Sequence, residues 1–347
     1  MTEPVSPASS SAKGSSAKDP RAADVSLQAG PVVTVTPNPS LDHTVEVGVL
    51  VRGEVQRTSH ALVEAGGKGV NVARALAKHG HRATAILPAG DDAQRMIGLL
   101  TPQQVSTVAV QISGAIRTNI AVVEADGTTT KLNEPGARLS GDEVTALLEA
   151  VEKELAARPS WLVAAGSLPA GAPDNLYALV TKAAVAQGVP VAIDTSGPAL
   201  AAAIDAGATV VKPNLEELQE LIDTPLVTVG DVVDAARQLR ERGCKDLLVS
   251  LGGHGALLIT AEGSWWAGGP PLVPRSTVGA GDSTLSGYLH TVGSPAQRLA
   301  GAVAWGRAAC LLPGSTVPGP QETQACADAV RVVADPDPLQ AVKDVAS

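Results

Sequence analysis

Two short segments carry the residue types that chemistry needs. One is Thr277-Val278-Gly279-Ala280-Gly281-Asp282-Ser283, which follows a β-prone stretch; the other, far upstream, is Gly66-Gly67-Lys68-Gly69-Val70-Asn71. Gly279, Ala280 and Gly281 are small enough for a backbone to approach a phosphate chain, and the apolar run after Ser283 continues as a helix whose first N–H groups face an anion. A carboxylate at such a turn repels phosphate unless it has another task, and the task available to Asp282 is taking a proton from an attacking hydroxyl. Lys68 stands between glycines at the start of a second helix running to Lys78, so its charge and that helix's dipole converge on one anion. Together the segments point to phosphoryl transfer.

The elements that must position these residues alternate. Val32 to Thr36, Ala83 to Leu87, Leu162 to Ala165, Val191 to Ile193, Thr209 to Val211 and Leu247 to Ser250 read as buried strands. Val144, Leu147, Leu148, Val151 and Leu155 repeat at helical spacing, as do Val232, Val233, Ala236 and Leu239. This rhythm predicts an α/β fold with a doubly wound, mainly parallel sheet flanked by helices and joined by right-handed crossovers. Thr44 to Val47 and Thr107 to Leu132 break the rhythm as consecutive strands, the last two turned by Ala125-Asp126-Gly127, and these predict a small separate sheet acting as a lid over about 43–62 and 107–133.

Ligands in such a fold bind beyond the carboxyl ends of the strands. Polar segments follow each of four strands there: Asn38-Pro39-Ser40-Leu41-Asp42, Gly166-Ser167-Leu168-Pro169, Lys212-Pro213-Asn214-Leu215-Glu216-Glu217, and Leu251-Gly252-Gly253-His254-Gly255. Arg117 enters the lid with a planar fork suited to gripping a phosphate. Taken singly, Asp42 reads equally as a turn residue and Glu217 as a surface-helix residue.

Composition narrows the class. With 26 Lys+Arg against 35 Asp+Glu and no basic block in the body, nucleic acid is a poor partner. Cys244, Cys310 and Cys326 share no metal or redox spacing and are odd in number, which fits a reducing cytoplasm. No apolar run reaches the length of a membrane span, and residues 1–29, rich in Ser and Ala, read as a disordered tail without a signal-peptide core. Phenylalanine is absent, leaving Val, Leu, Ile and Ala to fill the core. The folded body is expected over 30–335, with 336–347 as a C-terminal tail. Neither a Walker P-loop nor a dinucleotide Gly-x-Gly-x-x-Gly fingerprint occurs.

The segments Thr36 to Asp42, Gly66 to Ala73, Arg117-Thr118-Asn119, Asn133-Glu134-Pro135-Gly136, Gly166 to Pro169, Lys212-Pro213-Asn214 with Glu217, and Thr277 to Asp282, in that order, resemble the ribokinase-like (PfkB-type) carbohydrate kinase family, and most of all its bacterial 1-phosphofructokinase branch. The resemblance runs from about Val32 to Pro318. It implies ATP- and Mg2+-dependent phosphorylation of fructose 1-phosphate at its 6-hydroxyl. On that resemblance, Asp282 is the general base and Gly279, Ala280 and Gly281 hold developing phosphoryl charge. Asp42, Gly67, Lys68, Asn71, Arg117, Asn119 and Asn133 contact the sugar phosphate, with Lys68 and Arg117 fixing its phosphate. Lys212, Asn214, Ser250, Gly252, Gly255 and Thr277, with Gly279 and Gly281, contact ATP, and Glu217 holds Mg2+ through water.

Arg307 departs from the small residue usual in these relatives after Gly306, and it either alters contacts to the base or points outward. Sister activities on tagatose 6-phosphate or fructose 6-phosphate fit the same motifs, and a non-catalytic sugar-phosphate sensor is the reading from a different class. The exposed lid edge suggests a homodimer.

Overall fold

The computed structural model describes Met1 and residues 30–345. The remainder of the Ser/Ala-rich segment expected to be a tail lies outside them. Ten strands form one large sheet in the order β14-β13-β12-β11-β10-β9-β8-β1-β4-β5. These are β1 (Val32–Val35), β4 (Ala83–Ala89), β5 (Val105–Gln111), β8 (Trp161–Ala165), β9 (Val191–Asp194), β10 (Val210–Val211), β11 (Asp246–Ser250), β12 (Ala256–Ile259), β13 (Ser264–Gly268) and β14 (Arg331–Ala334). From β5 to β11 all neighbours are parallel; β12, β13 and β14 add an antiparallel end beyond the expected run. Four strands form a second sheet in the order β3-β2-β6-β7, from β2 (Ser40–Glu46), β3 (His60–Gly66), β6 (Arg117–Val123) and β7 (Thr129–Asn133).

The central strands β1, β8, β9 and β10 are buried at every position, as expected of parallel strands covered on both faces. One face packs the helices Gly141–Leu155, Leu176–Ala186, Gly197–Asp205 and Val229–Arg242, supplying Leu147, Val151, Val180, Leu200 and Val232 to the larger core. The other packs Lys68–Lys78, Ala280–His290 and Pro295–Cys310, with Val72, Leu76, Leu285, Tyr288 and Trp305. Large aliphatic side chains thereby fill the layers without phenylalanine.

Three boundaries differ from the sequence reading. The sequence reading starts the second lid segment at Thr107, but Thr107 to Gln111 belong to the strand Val105–Gln111, which lies parallel to β4 along its whole length, because its buried Val105 and Val110 complete the main core. The second pair of lid strands starts at Arg117. Next, β2 begins at Ser40, so Asp42 is a strand residue rather than a turn residue, in register with Glu64 on β3 and Asn119 on β6. Finally, the stretch set apart as a C-terminal tail contributes Val342 and Val345 to the larger core, and Ala341 bridges to Thr228. Apolar residues at 342 and 345, three apart on one short helical turn, bury together there.

Candidate active site

At the N-terminus of the Ala280–His290 helix, Gly279 takes the left-handed conformation with φ of 74° and no side chain caps the helix. Ala280 N–H makes only a long bond of 3.4 Å to Thr277 O, so this end of the helix can turn N–H groups to an anion. Asp282, in that first turn, is 7% exposed, and its Oδ2 accepts a hydrogen bond of 2.9 Å from Asn71 Nδ2. Burial, followed by the charge of Asp194, pushes the Asp282 carboxyl up to about 6, while Asn71, Lys68 and Lys212 pull it down. A carboxylate so poised can accept a proton near neutral pH.

The two glycine segments meet because Gly67 opens the Lys68–Lys78 helix with φ of 112°, where a Cβ would stand 2.7 Å from Thr36 Cγ2 at the end of β1. Only glycine brings this helix start so close to the strand end. Asn71, one turn along, then reaches Asp282.

Asp194, at the carboxyl end of β9, was not singled out from the sequence. It is buried, and it binds Lys68 Nζ at 2.7 Å through Oδ1 and Lys212 Nζ at 3.0 Å through Oδ2. Lys212 in turn lies over the glycine turn, since a Cβ at Gly281 would be 3.3 Å from its Nζ. Burial opposes the Asp194 charge, yet the two ammonium groups hold its carboxyl below the usual range. Burial likewise opposes the Lys68 charge, and Asp194 raises that pKa above the ordinary lysine value. Lys68 therefore belongs to a carboxylate cluster with Asp194 and with Glu217, whose Oε1 is 4.0 Å from its Nζ. A signal for Asp194 was present: it is the acid that ends the apolar run Val191 to Ile193 on the same sheet edge as the other polar segments.

Glu217 is partly the structural residue that a helix would use. Its Oε2 accepts from Asn214 N at 2.9 Å while Asn214 Oδ1 accepts from Glu217 N at 2.7 Å, a reciprocal cap on the Leu215–Ile222 helix. Oε1 is left facing Lys68. Among the described residues no group of three or more His, Cys, Asp and Glu could cage a metal ion. One open carboxylate oxygen fits a Mg2+ ion held mainly by water and phosphate.

A cavity of about 660 Å3 adjoins this cluster. Asn214, Ser250, Gly252 and Gly255 line one wall, and Thr277, Ala280 and Gly281 lead to the helix N-terminus. Asn214 and Ser250 are bridged side by side. The volume and the glycine-lined, anion-receptive end fit a nucleoside triphosphate. Arg307 lines the cavity rather than pointing away from it, and its Nη2 donates to Pro270 O at 2.7 Å. Lys343, from the C-terminal stretch, lines it as well.

On the lid side, Glu64, Asp42, Asn119 and Asn133 form one row across the four strands. Asp42 Oδ1 accepts from Ser40 Oγ at 2.7 Å and from Asn119 Nδ2 at 3.0 Å. Arg117 sits opposite Ser40 in the preceding row, and its Nη1 donates to Glu134 O at 3.2 Å. Arg117 Nε and Asn119 Oδ1 are both buried without a hydrogen-bond partner among the described residues. Unmet polar atoms of this kind suit a polar ligand. Asn133 is exposed. Asn38 ties the neighbouring strand ends together, donating to Pro135 O at 3.1 Å and Ser167 Oγ at 3.3 Å. Asp42, Asn119 and Arg117 thus stand together, whereas Lys68 is engaged by Asp194.

Residues 36–312 match the family model described as pfkB family carbohydrate kinase. The chain is 34% identical over 309 residues to a 1-phosphofructokinase of Rhodobacter capsulatus, covering 87% of this chain and 97% of that one. It is 37% identical over 302 residues to the ATP-dependent 6-phosphofructokinase isozyme 2 of Escherichia coli K12, covering 84% and 96%. The crystal structure of phosphofructokinase-2 from Escherichia coli in complex with potassium superposes with a TM-score of 0.81 at 35% identity, over 86% of this chain and 98% of that one. With the shared ribokinase-like architecture and a family match over most of its length, the chain belongs to the pfkB family of carbohydrate kinases and is a sugar kinase.

Proposed function

We propose that the protein transfers the terminal phosphoryl group of ATP to the 6-hydroxyl of fructose 1-phosphate, giving fructose 1,6-bisphosphate and ADP. The observation that carries this reading is the position of Asp282: a buried carboxyl with a raised pKa, bonded to Asn71, in the first turn of a helix whose neighbouring Ala280 and Gly281 line the nucleotide-sized cavity. Asp282 takes the proton of the attacking hydroxyl, which moves onto its carboxylate. Lys212 and the N–H groups at Ala280 and Gly281 stabilise charge on the transferring group. Asn214, Ser250, Gly252, Gly255 and Thr277 hold the nucleotide. Glu217 would hold Mg2+ through water, and the ion would supply positive charge to the phosphates when bound.

Asp42 and Asn119 bind ring hydroxyls, and Arg117, with its unpartnered Nε, grips the sugar's own phosphate. Lys68 contributes positive charge from the Asp194 side of the site. The substrate preference is supported by the 1-phosphofructokinase relatives. Fructose 6-phosphate is the second reading, favoured by the 37% identity to the isozyme 2 enzyme, and tagatose 6-phosphate presents the same groups. ADP release measured with each of the three sugar phosphates tests the assignment. The highest kcat/KM is expected with fructose 1-phosphate; preference for either of the others by tenfold would overturn it. Among the described residues no helix is long and apolar enough to cross a membrane. We infer a cytoplasmic enzyme, with its cysteines free as in a reducing compartment.

A further inference from the structure

Behind Asn71 lies a buried chain of polar contacts that the reaction as described does not use. Arg74, on the same helix and 4% exposed, donates through Nη1 to Asn71 Oδ1 at 3.3 Å and to Ala65 O at 2.9 Å. Its Nη2 meets Glu64 Oε1 at 3.0 Å, and its Nε donates to Gln103 Oε1 at 2.8 Å. Glu64 sits on the lid strand β3, and its other oxygen accepts from Ser315 Oγ at 2.9 Å.

We infer that Arg74 is a positioning residue for the transfer step: locked by Glu64, it fixes the Asn71 amide so that the NH2 end, and not the oxygen, faces Asp282. An asparagine side chain offers an acceptor at one end and two donors at the other. With a guanidinium on one side and a carboxylate on the other, only one orientation makes two attractive contacts. Turning the amide over would set oxygen against carboxylate and NH2 against guanidinium. Remove Arg74 and the turned amide can accept from a protonated Asp282, which stabilises the form that cannot act as a base.

The remaining groups facing Asp282 are Asp194, which raises its pKa, and Lys68 and Lys212, which lower it; none of these contacts Arg74 directly. The polar orientation of Asn71 is therefore the route by which Arg74 reaches the base. Because Glu64 belongs to the lid sheet, the chain also joins the base of the lid to the transfer site.

This inference rests on Asp282 acting as the base, and a mutant cycle with Asn71→Ala, Arg74→Met and the double variant tests it. Arg74→Met is expected to lower kcat by about tenfold and to move the acidic limb of the kcat/KM profile up by about one pH unit, with the KM for ATP nearly unchanged. The double variant is expected to be no slower than Asn71→Ala by more than about twofold, since Arg74 acts through that side chain. Additive losses would overturn the inference. If Arg74→Met does not fold, Glu64→Gln replaces it in the same cycle, with a smaller shift in the same direction; an unshifted profile would overturn the inference equally. Asp282→Asn run alongside separates the two readings. Near-normal turnover in that variant removes the base assignment and this inference together, whereas collapsed turnover with an additive cycle removes the positioning role alone.

Discussion

Lys68 Nζ lies 2.7 Å from Asp194 Oδ1, and through Asp194 it shares a carboxylate with Lys212. The cation that opens the Lys68–Lys78 helix is thus held on the nucleotide side of the site, with Glu217 beyond it. Asp194 has two effects: it keeps two ammonium groups in place and it adds negative charge near Asp282.

Replacing Asp194 by Asn separates those effects. Lys212, almost fully buried, would lose its counter-ion, and breaking such a pair costs on the order of 3 kcal/mol. Thermal unfolding should show a drop of several degrees. The Asp282 pKa should fall, because a like charge is gone while both lysines remain, so the acidic limb of kcat/KM moves below about 6. An upward move would contradict the electrostatic account.

Asp282→Asn is expected to lower kcat by roughly 10²–10⁴ while leaving ATP affinity near normal, since the amide keeps the shape but cannot take a proton. It also carries a stability signature. The folded carboxyl titrates near 6, above its unfolded value, so the folded state binds more protons across that interval and wild-type stability falls as pH rises from about 4 to 6. The Asn variant lacks this loss. It should be more stable than wild type at pH 7 by on the order of 2 kcal/mol, and the advantage should vanish near pH 4. Calorimetry at the two pH values checks the sign.

Arg117→Ala is expected to raise the KM for the sugar phosphate by about ten- to a hundredfold, the worth of a charged hydrogen bond, with the KM for ATP unchanged. The guanidinium is half-buried and its Nε unpartnered, so the lid already bears the cost of desolvating it. Equal losses on both substrates would assign Arg117 to lid folding instead.

What the sequence makes legible follows from locality. Val32 to Thr36 and Leu162 to Ala165 are short apolar runs that only a covered strand explains, and Gly279 to Asp282 is a contiguous turn whose backbone and carboxylate act together. Pairings across the chain are not written locally. Lys68 and Asp194 are 126 positions apart, and nothing in Gly-Gly-Lys-Gly says which carboxylate the lysine will meet. Val105–Gln111 has the same alternating look as a lid strand. Only the presence of β4 beside it decides that its valines join the main core. Arg307 was ambiguous for the same reason, because its bond to Pro270 depends on how a distant loop folds back.

The lid leaves apolar side chains uncovered, with Val55 at 91%, Leu132 at 58% and Leu62 at 45% exposure, and every residue of β7 is exposed along an edge of the sheet. An open edge beside exposed aliphatic groups favours pairing with another sheet. The expected occupant is the lid of a second copy of this chain, giving a homodimer in light scattering. Leu132→Lys should shift the mass toward the monomer, because a buried, unpaired ammonium is costly in such an interface. It should also raise the KM for the sugar phosphate more than that for ATP, since Asn133 and Asn119 lie in adjoining strands of the same sheet. A wild-type protein that is monomeric at every concentration tested would refute the pairing.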